Sequence, residues 1–119
     1  MVQTYRDLIV WNKAMDLVTQ IYQMTLGFPK DELFGLTSQI RKAAISIPSN
    51  IAEGRGKLTK GEFKLFLGHA RGSLAEIETQ ILIAKNLDYL NDTEGDKLLE
   101  QIAEVGRLLN GLLSSIKRQ

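Results

Sequence analysis

Residues 36–56, LTSQIRKAAISIPSNIAEGRG, decide how the rest of the chain is read. Leu36, Ile40, Ala43, Ile47 and Ile51 recur at steps of four, three, four and four. That is the spacing of one helix face, whereas a half-buried strand alternates every second residue. Pro48 falls inside the run. It has no N–H, so the carbonyl of Ala44 loses its helical partner and the ring pushes the helix toward a kink. The defect costs roughly 3 kcal/mol in an isolated helix. Ser46, Ser49 and Asn50 stand beside it and are able to bond freed backbone groups. A continuous helix kinked at Pro48 is expected; a break with a new helix starting at Pro48 is the alternative. Gly54 and Gly56 are expected to end the helix, as glycine does just past a C-terminus.

The flanking sequence has the same period. From Asp7, a plausible N-cap or first-turn acid, two stripes run together: Leu8, Trp11, Met15, Val18, Tyr22 and Val10, Ala14, Leu17, Ile21, Met24. Gly27 and Pro29 stop that helix, and Phe28 is expected to fold back onto the core. A third helix begins near Thr59, with Thr59 and Glu62 at capping-box spacing. Its stripe is Phe63, Leu67, Ala70, Leu74, Ile77, Ile81, Ala84. A second stripe on it is small: Gly61, Leu65, Gly68, Gly72, Ala75, Thr79, Leu82. Glycine inside a helix costs roughly 1 kcal/mol relative to alanine, so a second helix close to Gly68, Gly72 and Ala75 is expected. A fourth helix runs from about Thr93 to Ile116 after a turn in which Asn91 and Glu94 have capping-box spacing; Lys117 and Arg118 suit its end. Met1–Arg6 reads as a short leader.

Four helices with short connections predict an all-α, antiparallel up-down four-helix bundle, one domain over 1–119. The wide face around Trp11 and the small stripe exceed what one core fills, which points to a homo-oligomer.

The chain has no cysteine, hence no disulfide framework or thiolate metal site. No apolar run approaches the ~20 residues that span a bilayer. A cytoplasmic location is the simplest expectation. Net charge is only +1, but residues 41–64 hold six basic and two acidic side chains while 61–119 hold seven and nine. A solvated helix end accounts for this cluster more simply than a binding patch does. As a binding patch, it offers Lys42, Arg55, Lys57, Lys60 and Lys64 to phosphates.

Chemistry is thin. Ser46, Asn50 and Glu53 share one helix face, and a structural hydrogen-bonded set outweighs a catalytic site because no nucleophile–base–orienter set assembles. An antiparallel hairpin turning near Leu58 sets Arg41 opposite Glu76, Ser46 opposite Arg71 and Glu53 opposite Lys64. Arg41–Glu76 and Glu53–Lys64 are therefore expected as register-setting ion pairs, each contributing ~0–1 kcal/mol. His69 is the sole histidine, without ligand partners at metal spacing. No enzyme, cofactor or metal site is expected.

Three segments, YRDLIVWNKAMDLV at 5–18, LTSQIRKAAISIPSNIAEG at 36–54 and FLGHARGSLAEIETQI at 66–81, resemble the four-helix-bundle protein family found as reading frames in intervening sequences of bacterial large-subunit ribosomal RNA genes. That family is similar to the accessory variability determinant proteins of diversity-generating retroelements. The resemblance implies a homopentamer with a basic surface toward nucleic acid, DNA or RNA. It also implies a reverse transcriptase or other protein as a further partner.

Overall fold

The computed structural model describes residues 4–117; Arg118, expected to suit the last helix end, and the first part of the expected leader, 1–3, lie outside them. Four helices follow in order: α1 Ile9–Thr25, α2 Leu36–Arg55, α3 Lys60–Asn86 and α4 Asp92–Lys117. Short 3-10 turns at Tyr5–Asp7 and Lys30–Glu32 precede α1 and α2, and no strand occurs among the described residues.

The local signals explain most ends. Thr59 accepts from the Glu62 N–H at 3.1 Å and starts α3. Asn91 and Glu94 bond reciprocally at 2.8 and 3.4 Å before α4. Asp7 does not cap α1: its carboxylate accepts from the Thr4 N–H at 3.1 Å inside the 3-10 turn, and the cap position falls to Leu8. α2 is continuous through Pro48, which is buried, so no second helix starts there. Gly54 does not end α2 either. The helix runs to Arg55 and Gly56 caps it with φ −82°. α3 ends on Asp88, whose φ of 60° is left-handed. The Tyr89 N–H then reaches Ala84 O at 2.9 Å and the Asp88 N–H reaches Lys85 O at 3.1 Å, the Schellman closure.

Beside Pro48, the Ser46 hydroxyl donates to Ala43 O at 2.7 Å and lies 2.6 Å from Ser73 Oγ. Asn50 Nδ2 donates to Ser46 O at 2.7 Å. The first and third serve the Ala43 and Ser46 carbonyls within α2, and the Ser46–Ser73 bond ties α2 to α3.

One stripe per helix makes the core. Leu17 and Ile21, Ile40, Ile47 and Ile51, Leu67 and Ile77, and Val105 and Leu109 are all fully buried. α1's other stripe is half-buried at Trp11 and Val18 and exposed at Met15 (41%). Phe28 is buried and lies 5.6 Å from the Tyr89 ring.

Helices α1 and α3 each pack against both α2 and α4. Ser46 meets Ser73 while Gly54 meets Phe63 and Phe66, so later positions of α2 face earlier ones of α3. Lys85–Asp96 and Arg71–Asn110 show the same reversal between α3 and α4. Arg41 with Thr25, and Lys13 with Glu104, place α1 in the same frame. The protein is 46 Å long and 24 by 20 Å across.

Candidate nucleic-acid interface

This frame sorts the charges. The half containing the α2–α3 turn comprises residues 4–17, 46–73 and 105–116. It carries eight basic side chains (residues 6, 13, 55, 57, 60, 64, 71 and 107) and four acidic ones (7, 16, 53 and 62). The other half, 18–45 and 74–104, carries five basic and ten acidic residues. A chain of net charge +1 is thus polarised end to end, at +4 and −5 over these side chains, with the Lys13–Glu104 pair straddling the two halves. Segregation of this kind sets up a field that chain-averaged charge hides.

Four of the five candidate phosphate contacts come together. Arg55 closes α2, Lys57 lies in the turn, and Lys60 and Lys64 occupy the first turns of α3. Lys57 Nζ sits 5.0 Å over the Phe66 ring, and Phe66 lies 5.5 Å from the His69 ring. Lys42 is apart: it is exposed on α2, thirteen residues before Arg55, or about 20 Å along the axis. Lys60 and Lys64 stand near the positive end of the α3 dipole, where a cation costs ~0.3–1 kcal/mol. Folding alone does not favour lysine there.

The two expected ion pairs do not form. Arg41 turns away from Glu76 toward α1: its Nε donates to Thr25 Oγ1 at 2.8 Å and its guanidinium lies 4.7 Å from the Tyr22 ring centre. The half-buried guanidinium gains a hydroxyl and an aromatic face there, where the pair with Glu76 would have been exposed. Glu76 is met instead by Gln80 Nε2 at 3.4 Å. Glu53 and Lys64 do not pair. Ser46, expected opposite Arg71, meets Ser73, two residues further along α3.

The small-residue stripe is also not where α3 meets a helix of its own chain. A Cβ on Gly68 or Gly72 would have nothing within 4 Å, and Ala75 is exposed. The close approach is at Gly54, where a Cβ would come 2.8 Å from Phe66 Cβ and 3.1 Å from Phe63 Cδ1. Trp11 lines an apolar groove with Tyr5, Met15, Val18, Ile45 and Pro48.

A second groove, mostly polar, runs between α3 and α4 in the basic half. Lys64, Gly68, Arg71, Asn110, Leu113 and Ser114 line it. Arg71 Nη1 donates to Asn110 Oδ1 at 3.1 Å. Sequence reading missed this pair, although folding α3 onto α4 about a turn near Leu90 brings the two residues face to face. At the acidic end, the Tyr89 hydroxyl donates to Glu32 Oε2 at 2.9 Å, and this bond holds the phenol above its ordinary pKa. The hydrogen bond to Asp96 raises Lys85 likewise. Among the described residues no group of three or more His, Cys, Asp or Glu side chains is placed to hold a metal ion. No helix there is long and apolar enough to cross a membrane.

The chain is similar to a solved protein of unknown function from the S23 ribosomal protein family of Bacteroides thetaiotaomicron. Identity is 19%, with a TM-score of 0.82, over 89% of this chain and 96% of that one. That likeness speaks to the fold. No match is found among curated proteins. The profile described as 23S rRNA-intervening sequence protein matches residues 6–111. With nearly the whole bundle inside that match, the chain belongs to the 23S rRNA-intervening sequence protein family.

Proposed function

We propose that this protein is a non-enzymatic, cytoplasmic homo-oligomer that binds nucleic acid, or a nucleic-acid enzyme such as a reverse transcriptase, through its basic half. The observation that carries the reading is the end-to-end charge polarity, with Arg55, Lys57, Lys60 and Lys64 gathered at one turn. Five copies sharing an axis would multiply that excess into a dense positive surface, which holds phosphates by releasing counterions. Such contacts carry little sequence information, so DNA and RNA are both ligands. The apolar groove around Trp11, Met15 and Ile45 serves as the seam between copies better than the open Gly68–Gly72 stripe does. That same groove supports the second reading, a protein–protein scaffold without a nucleic-acid role.

Light scattering at micromolar concentration is expected to give a mass near five chains; a monomer of 13.3 kDa overturns the oligomer. Fluorescence anisotropy with labelled DNA and RNA across a salt series tests the ligand. Changing Arg55, Lys57, Lys60 and Lys64 together to Ala is expected to weaken binding about 100-fold at low salt. It should also flatten the salt slope by about three to four, near one per lost phosphate contact. Wild type that binds neither oligonucleotide, or a quadruple variant that binds as well as wild type, leaves the scaffold reading in its place.

A further inference from the structure

The polar groove between α3 and α4 has features that neither the turn lysines nor the core requires. Lys64, Gly68 and Arg71 follow one another at steps of four and three, on one face of α3. Asn110 and Ser114 face them from α4, one turn apart. Among the described residues no carboxylate lines the groove. Lys64 is half-buried and lines the groove wall. The bond to Asn110 Oδ1 uses one Nη1 hydrogen and orients the guanidinium, whose remaining N–H groups are left to donate. Glycine at 68 removes the side chain that would otherwise fill the space between the two cations.

We infer that this groove seats a phosphodiester group of a bound nucleic acid, with Arg71 as the oriented donor and Lys64 as the second charge. The inference rests on the nucleic-acid reading above and moves its centre from the α2–α3 turn to a preformed site. Oriented guanidinium donors suit phosphate oxygens, and orientation before binding removes part of the ordering cost that a loop lysine incurs. Asn110 is a positioning residue for Arg71 and Ser114 a further donor. Gly68 supplies the clearance.

The test is anisotropy with a labelled single-stranded oligonucleotide, using the full chain. Gly68→Leu leaves every charge in place, and its Cβ has nothing within 4 Å, so the added side chain extends into the groove without displacing backbone. It is expected to lower affinity about tenfold, the scale of one lost charge-assisted contact, with melting temperature unchanged or raised and light-scattering mass unchanged. Arg71→Ala is expected to reduce the salt slope by about one. If wild type binds while both variants bind equally well, the groove is not the seat and the turn lysines suffice. A changed mass in Gly68→Leu also overturns the inference, because a second copy then covers the groove. Wild type that binds no oligonucleotide at low salt removes the parent reading and this one together.

Discussion

At the acidic end of the bundle, Tyr89 donates to Glu32, Lys85 pairs with Asp96 at 2.8 Å, and Phe28 lies against the Tyr89 ring. Arg41 on the same half is tied to Thr25. Beside the α2–α3 turn at the basic end the contact is apolar, with Gly54 of α2 pressed on Phe63 and Phe66 of α3, while Ser46–Ser73 and Arg71–Asn110 join the helices farther along. There Lys57 rests on a ring and Lys60 and Lys64 are not paired with Glu53 or Glu62. One end spends its polar groups on holding connections together. The other is held beside its turn by packing, and Lys60 and Lys64 stand there without a carboxylate partner among the described residues.

The largest expected stability effect is at the packed end. Gly54→Leu places a Cβ against Phe66 Cβ, which cannot swing away, so backbone must shift. Overpacking of this kind is expected to destabilise by ~1–3 kcal/mol, read from a urea midpoint. Gly72→Leu is the control: with nothing near it in the protomer, it is expected to be neutral or to gain up to ~1 kcal/mol in helix propensity. Equal losses at both positions break the contrast and put another chain against Gly72.

On the polar half, Arg41→Ala removes a hydrogen bond to Thr25 and the stacking on Tyr22, and is expected to cost about 1–2 kcal/mol. Glu76→Ala, which would cost up to ~1 kcal/mol if Arg41 were its ion-pair partner, is expected to stay within ~0.5 kcal/mol. Similar losses for the two variants would restore the Arg41–Glu76 pair.

The smallest effect expected is that of Tyr89→Phe, which deletes the bond to Glu32 while keeping the ring on Phe28. Because the folded phenol is held above its ordinary pKa, the stabilisation is complete below the unfolded value of about 10. It is lost as pH rises through the folded value. The melting-temperature gap between wild type and Tyr89→Phe should therefore be constant near neutrality and close in alkaline solution. A gap that persists unchanged would place the effect in packing and not in the hydrogen bond.

By itself the sequence determined what short-range physics determines. Stripes at a 3.6-residue period located most core positions of α1, α2 and α3, because only one face of each can leave water. The Thr59–Glu62 and Asn91–Glu94 caps were legible because donor and acceptor lie three residues apart. Nothing local announced that Asp88 would take the left-handed position usually given to glycine. The tertiary structure decided the rest. Arg41 is long enough to reach either α1 or α3, and only the packed helices settle which partner it meets. Glycines read alike along a helix, yet Gly54 touches a neighbour and Gly68 and Gly72 face open space. The charge polarity was invisible along the chain, since it arises when turns reverse the helices and bring residues 55–71 beside 107–117. A long-range field depends on where charges sit in space, and it is the fold that places them.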